Sequence, residues 1–161
     1  MPGSRGSITR AATPARRLEA LRQLTAAGVP ASVMVAPVIP ALNDAEIERI
    51  LDAAAAVGVR EAGYVLLRLP LDVRDLFREW LMANFPDRYR HVFKLLRETR
   101  GGKDYDSSWG KRMTGGGPVA WMIGRRFELA CEKRGFNKTR TRLTADHFSP
   151  PRPGAEQLSL F

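Results

Sequence analysis

The residue types most able to do chemistry lie in one glycine-rich basic stretch, "RGGKDYDSSWGKRMTGGGP", and at the ends of two apolar runs. A nucleotide P-loop requires G-x-x-x-x-G-K followed by serine or threonine. "RGGKDYD" and "SSWGKRM" both lack the leading glycine and the hydroxyl. Lys103, Lys111 and Arg112 are better suited to holding a phosphate backbone, with Tyr105 and Trp109 as stacking surfaces for a base. The plainer reading is a surface loop with one tucked-in aromatic.

The first apolar run leads into "MVAPVIPALNDAE", a strand entering a proline-containing turn and then a helix. Parallel sheets bind ligands beyond the carboxyl ends of their strands, which places Ile39, Pro40 and Asn43 at a candidate site. "YVLLRLP" sets Arg68 at the equivalent end of the second run, where a charge among apolar residues must pair or line a site. Cys131 falls in an apolar helical stripe and reads as a small core residue. His91 and His147 have no second ligand at metal-binding spacing, and no serine, histidine and aspartate arrangement can be argued. No residue is assigned to catalysis.

The elements that must position these residues follow a regular alternation. Thr13-Pro14 offers a cap and a first-turn proline for a helix carrying Leu18, Leu21, Leu24 and Thr25 on one face, closed by Gly28. "ASVMVAPVIP" is valine-rich and too short for a helix, as expected of a strand buried on both faces. Asn43 with Glu46 suggests a capping box, ahead of a helix with Ile47, Ile50, Leu51 and Ala54 inward and Gly58 at its end. "AGYVLLRLP" is a second strand. A repeat of about thirty residues between strands is that of a parallel βαβ crossover, so the fold class is α/β. Two strands cannot bury such faces unaided, and the sheet is expected to continue before Ser7.

After Pro70 the pattern is helical, with stripes Val73, Leu76, Phe77, Trp80, Leu81 and Val92, Phe93, Leu95, Leu96. Pro118 opens a further helix, with Ala120, Ile123, Phe127 and Cys131 inward and Gly135 at its end. The resulting division is residues 1–70, the end of a sheet; 71–138, a basic helical extension; and 139–161, an irregular tail.

Charge sharpens that division. The chain of 161 residues carries +9, and most of it falls between Lys94 and Arg142, where thirteen basic residues face five acidic ones. A local basic surface favours a polyanion such as nucleic acid as partner. One cysteine excludes a disulfide framework and a cysteine zinc cluster from this chain alone, and fits a cytoplasmic setting. No apolar run approaches the roughly 18 residues that span a bilayer, so no membrane role is expected.

"GVPASVMVAPVIPALNDAEIERILDAAAAVGVREAGYVLLRLP", then "FPDR", "RGGKDYDSSWGKRMTGGGP" and "PPRPGAEQLSLF", resemble in order the C-terminal part of bacterial radical S-adenosylmethionine proteins related to spore photoproduct lyase. The resemblance covers nearly all of 12–161. It implies a partial (β/α)6 barrel, a [4Fe–4S] cluster on a C-x3-C-x2-C loop, and S-adenosylmethionine on the open iron. It also implies adenine contact near Ile39, with Pro40 and Asn43 beside it. Here 37–44 follow the family's G-x-I-x-G-x-x-E pattern strictly only at Ile39, with Pro37 and Ala41 for its glycines and Asp44 for its glutamate.

The cysteine motif is missing from this chain, so no cluster or cofactor is expected on it alone. The expectation is the last two barrel strands and extension of a longer enzyme, possibly acting on nucleic acid and inactive in isolation. The rival expectation is a non-enzymatic module that binds DNA or a partner. At the end of the chain, Gln157, Leu158, Leu160 and Phe161 in "QLSLF" resemble the peptide by which bacterial polymerases and repair proteins grip the DNA sliding clamp.

Overall fold

A computed structural model describes residues 12–105, 107–139 and 144–150. Helix α1 (Pro14–Ala26) starts where Thr13 accepts a hydrogen bond from the Arg16 amide and proline occupies the first turn. Its apolar face is shallow: it contributes no buried residue, Leu21 packs at the rim of the core, and Leu24 is 43% exposed. The Thr25 hydroxyl donates to the Val57 carbonyl at 2.6 Å and ties the helix to the next one.

Strands β1 (Ser32–Val38) and β2 (Glu61–Leu66) pair in parallel, with Ser32 opposite Glu61 and Val35 opposite Tyr64. The register shifts between Val35 and Val38, where the Ala36–Pro37 peptide is cis. Between the strands come a 3-10 turn (Asp44–Glu46) and α2 (Ile47–Ala56). Three helices follow β2: α3 (Val73–Asn84), α4 (Tyr89–Glu98) and α5 (Gly117–Arg134). The described residues thus form an α/β unit of two parallel strands and five α-helices. No helix among them is long and apolar enough to cross a membrane.

Two apolar clusters divide the unit. In the first, α2 and α5 cover one face of the sheet, burying Val35, Val38, Ile47, Leu51, Leu66, Ile123 and Phe127. Helix α5 therefore belongs to the sheet core, although the stretch leading to it departs from that core. The covering face is locked by arginines: Arg126 donates to Glu48 and Asp44, and Arg134 bonds both carboxylate oxygens of Asp52. The second cluster holds α3 and α4 against the carboxyl ends of the strands, through Ile39, Leu69, Leu81, Val92 and Leu96.

The expectation that β1 is buried on both faces is corrected: Val35 and Val38 are buried, whereas Met34 is 61% exposed on the opposite face. Met34 lies across Gly63, where a Cβ would meet its methyl at 3.0 Å. The apolar run reads like a doubly covered strand because alanine, methionine and proline fill the uncovered positions.

Candidate functional site

Both strands end in strained backbone. Ala41 follows Pro40 with φ 61° and Leu71 follows Pro70 with φ 42°, a region that side-chain-bearing residues seldom occupy. Such strain concentrates at functional sites and persists only where the surroundings enforce it. Around Ala41 the enforcement comes from Asn43. Its side-chain oxygen accepts from the Ile39 amide at 2.7 Å, and its amide nitrogen donates to the Pro37 carbonyl at 3.0 Å. The capping box expected of Asn43 is corrected, since its side chain makes no bond to the start of the 3-10 turn. Turning back to hold the strand end uses both of its polar atoms instead.

Ile39 is 8% exposed and belongs to the second cluster, and Pro40 is fully buried. The three residues expected beside a cofactor are thus adjacent at the end of β1, with their side chains turned to packing and turn geometry.

Arg68, just past β2, points into the glycine-rich loop. One Nη donates to the Tyr105 hydroxyl at 3.1 Å, the other lies 3.7 Å from the Met113 sulfur, and Nε is buried without a hydrogen-bond partner. Its guanidinium sits 5.9 Å from the Tyr105 ring centre. Tyr105 is therefore committed to Arg68 and half-buried, rather than presented to a base.

The loop's anchor is Arg100, a residue the sequence reading passed over. It is 4% exposed, and its guanidinium donates to the carbonyls of Lys111 and Arg112 on one side and of Leu67 on the other. A planar fork of five donors suits several fixed carbonyls at once, as a lysine would not. The available signal was an arginine closing a helix directly before two glycines. The neighbouring turn is equally tight: the Gly116 amide donates to the Thr99 carbonyl at 2.9 Å, and a Cβ on Gly115 would stand 2.8 Å from that same oxygen.

Held in this way, the loop presents Trp109 to solvent at 85% exposure, with the Arg112 guanidinium 4.2 Å from its ring centre. Lys103 and Lys111 are also exposed. Of the five loop residues expected to meet nucleic acid, four offer an accessible cationic or aromatic group, and Tyr105 braces Arg68. Gln157, Leu158, Leu160 and Phe161 lie outside the described residues.

Tyr64 and Cys131 occupy the first core. Burial, then the charge of Glu128, pushes the Tyr64 hydroxyl up, and burial pushes the Cys131 thiol up. Neither is poised as a nucleophile or base.

An uncharacterized protein of Mycobacterium tuberculosis, Rv2578c, is 34% identical to this chain over 87 residues, or 51% of the chain and 26% of the relative. The Mycobacterium bovis protein Mb2609c, also uncharacterized, matches to the same extent. The aligned segment of the chain thus spans about a quarter of the length of these relatives. No protein-family model and no solved structure matches the chain.

Proposed function

We propose that this chain is the C-terminal part of a radical S-adenosylmethionine enzyme related to spore photoproduct lyase, acting on nucleic acid and inactive in isolation. In this reading β1 and β2 are the last strands of a partial barrel, α2 and α5 its outer helices, and 73–116 an excursion over the strand ends. The observation carrying it is the one-sided cover of a parallel pair: helices close the outer face and Met34 lies open on the other. Strands at the end of a barrel have that asymmetry.

The residues present do not fit an iron–sulfur cluster. Its thiolates would have to come from a chain with one cysteine, buried in α5 with its thiol held protonated. No group of three histidine, cysteine or carboxylate side chains among the described residues could hold a metal ion. The [4Fe–4S] cluster and S-adenosylmethionine would be held by residues of a longer chain.

The test compares this chain with a version extended through the upstream reading frame. After anaerobic reconstitution with iron and sulfide, this chain is expected to stay colourless. The extended one, carrying C-x3-C-x2-C, is expected to bind about four irons and, with dithionite as the electron source, to release 5′-deoxyadenosine from S-adenosylmethionine. An upstream frame without that motif, or a stable cluster on this chain, would overturn the reading.

A second reading, a non-enzymatic module that binds DNA or the sliding clamp, draws on the exposed Trp109 ring with the half-buried Arg112 guanidinium over it. Its clamp arm is tested by titrating a Gly154–Phe161 peptide against a sliding clamp, with Leu160 and Phe161 changed to alanine as control. Micromolar binding weakened at least tenfold by the change, about 1.4 kcal/mol, is the expected result. Equal binding by both peptides would end the idea.

A further inference from the structure

Helices α3 and α4 face each other across a groove of about 700 Å³, closed at one end by Gly102 and Asp104 of the loop. Arg74 and Arg78 reach it from α3, and Arg90, Lys94 and Arg97 from α4. The spacing places them there: positions four apart, and seven apart, return to the same face of a helix. The Phe77 and Phe93 rings meet 5.8 Å apart beneath and hold the two helices together.

The carboxylates in the groove do not cancel its charge evenly. Asp104 bonds Arg97 and lies 3.6 Å from Arg74, which also bonds Asp75, and Glu98 is the third carboxylate lining the groove. That leaves one end of the groove neutralised. At the other end Arg78 and Lys94 form no ion pair or hydrogen bond among the described residues, and Arg90 has only the Tyr89 hydroxyl. The Arg90 hydrogen bond and charge, with a smaller push from Arg78, hold that hydroxyl below its ordinary pKa, as a positive field does.

We propose that the open end of the α3–α4 groove, Arg78, Arg90 and Lys94 with the Tyr89 ring beside them, grips the phosphate backbone of a single nucleic-acid strand. Cations four residues apart on a helix are about 6 Å apart along its axis, close to the separation of successive phosphates along a single strand. A line of separated cations matches a strand, whose charges are equally spaced; the half-buried Tyr89 ring, packed on the second cluster with Arg90 over it, walls the groove rather than presenting a free face. Polyglutamate carries regular charge without sugar, phosphate or base, and so serves as the competitor that tells a nucleic-acid strand from an acidic peptide. The inference rests on the nucleic-acid part of the proposed function and not on its radical chemistry, because binding needs no cluster.

The experiment is fluorescence anisotropy of a labelled mixed-sequence 12-nucleotide DNA with this chain, across a salt series. The triple change Arg78→Gln, Arg90→Gln, Lys94→Gln is expected to weaken binding at least tenfold and to flatten the salt slope by about 2, at roughly 0.7 per lost phosphate contact. The double change Arg78→Lys, Arg90→Lys with Lys94 kept should restore the slope, separating lost charge from lost fold. Unchanged affinity in the glutamine variant overturns the proposal. So does displacement of the DNA by polyglutamate at equal charge concentration, which would identify a site for polyanions in general. Failure here leaves the iron content of the extended chain untouched, so the two proposals fall separately.

Discussion

The two halves of this molecule use arginine in opposite ways. Around the sheet, Arg126 and Arg134 are spent on carboxylates of α2, and Arg100 on backbone carbonyls, so each fork closes a gap between elements. Around α3 and α4 the arginines outnumber their partners, and large apolar side chains stay in solvent: Leu76 is 66% exposed and Trp80 46%. A guanidinium with its donors satisfied is structural, because moving it leaves buried groups unpaired. One left free costs nothing to recruit. The difference separates the half that makes the fold from the half available to a partner.

The sharpest way to break the comparison is to empty each core in turn. Leu51 in the first cluster and Leu81 in the second are both fully buried. Leu51→Ala is expected to cost about 3–5 kcal/mol and to lower the melting of the whole chain. Leu81→Ala is expected to cost about 2–4 kcal/mol, read as loss of amide-exchange protection in α3 and α4 with the sheet retained. If Leu81→Ala strips protection from β1 and β2 equally, the halves are one cooperative unit.

A smaller effect tests how closely the sheet is covered. A Cβ on Gly124 of α5 would stand 2.8 Å from the Tyr64 hydroxyl oxygen. Alanine is the better helix former by about 1 kcal/mol, but the clash forces α5 away from β2. Gly124→Ala should therefore destabilise by about 1–2 kcal/mol, and adding Tyr64→Phe should return stability to at least the starting value. Equal melting temperatures for Gly124→Ala and the parent would show that α5 rides loosely on the sheet.

How far the sequence announced this arrangement varies with the range of the interaction. The βαβ alternation was legible because glycines at the helix ends and valine-rich runs between them are local signals. The inward stripes of α2 and α5 were legible for the same reason. Asn43 was misjudged because Asn-x-x-Glu satisfies a capping pattern, whereas the backbone that claims its side chain lies behind it at Pro37 and Ile39. Arg68 stands out in the sequence as an unexpected charge at a strand end, but Tyr105, its partner, lies 37 residues away and no spacing announces it. Arg78, Arg90 and Lys94 had helical spacing and were passed over, because a charged helix face commonly means only solvent until a second helix is known to face it.

Asn43 gives the next test. Asn43→Ala removes the acceptor for the part-buried Ile39 amide and the donor to Pro37. A cost of about 1–2 kcal/mol is expected, seen as a lowered urea midpoint with an unchanged slope. Asn43→Asp keeps the acceptor and should lose less. Equal losses from aspartate and alanine would mean that the donated bond to Pro37, which both variants lack, holds the turn.

The weakest expected effect concerns the satisfied arginines, and its sign depends on pH. Burial alone would raise the Glu48 carboxyl, but the hydrogen bond and charge of Arg126 outweigh it and hold the group below its ordinary 4.5. A carboxyl depressed by folding adds stability that is present above its unfolded value and is lost as pH falls through the lower folded one. Arg126→Gln should therefore lower the melting temperature by about 2 °C at pH 7, and the gap should narrow as pH falls below 4.5 and close once folded Glu48 takes up its proton. Added salt should narrow the gap at pH 7, because these side chains are about one-third exposed. A gap that persisted unchanged at pH 3 would mean that Arg126 holds α5 through its bond to the Asp44 carbonyl, which does not titrate, rather than through Glu48.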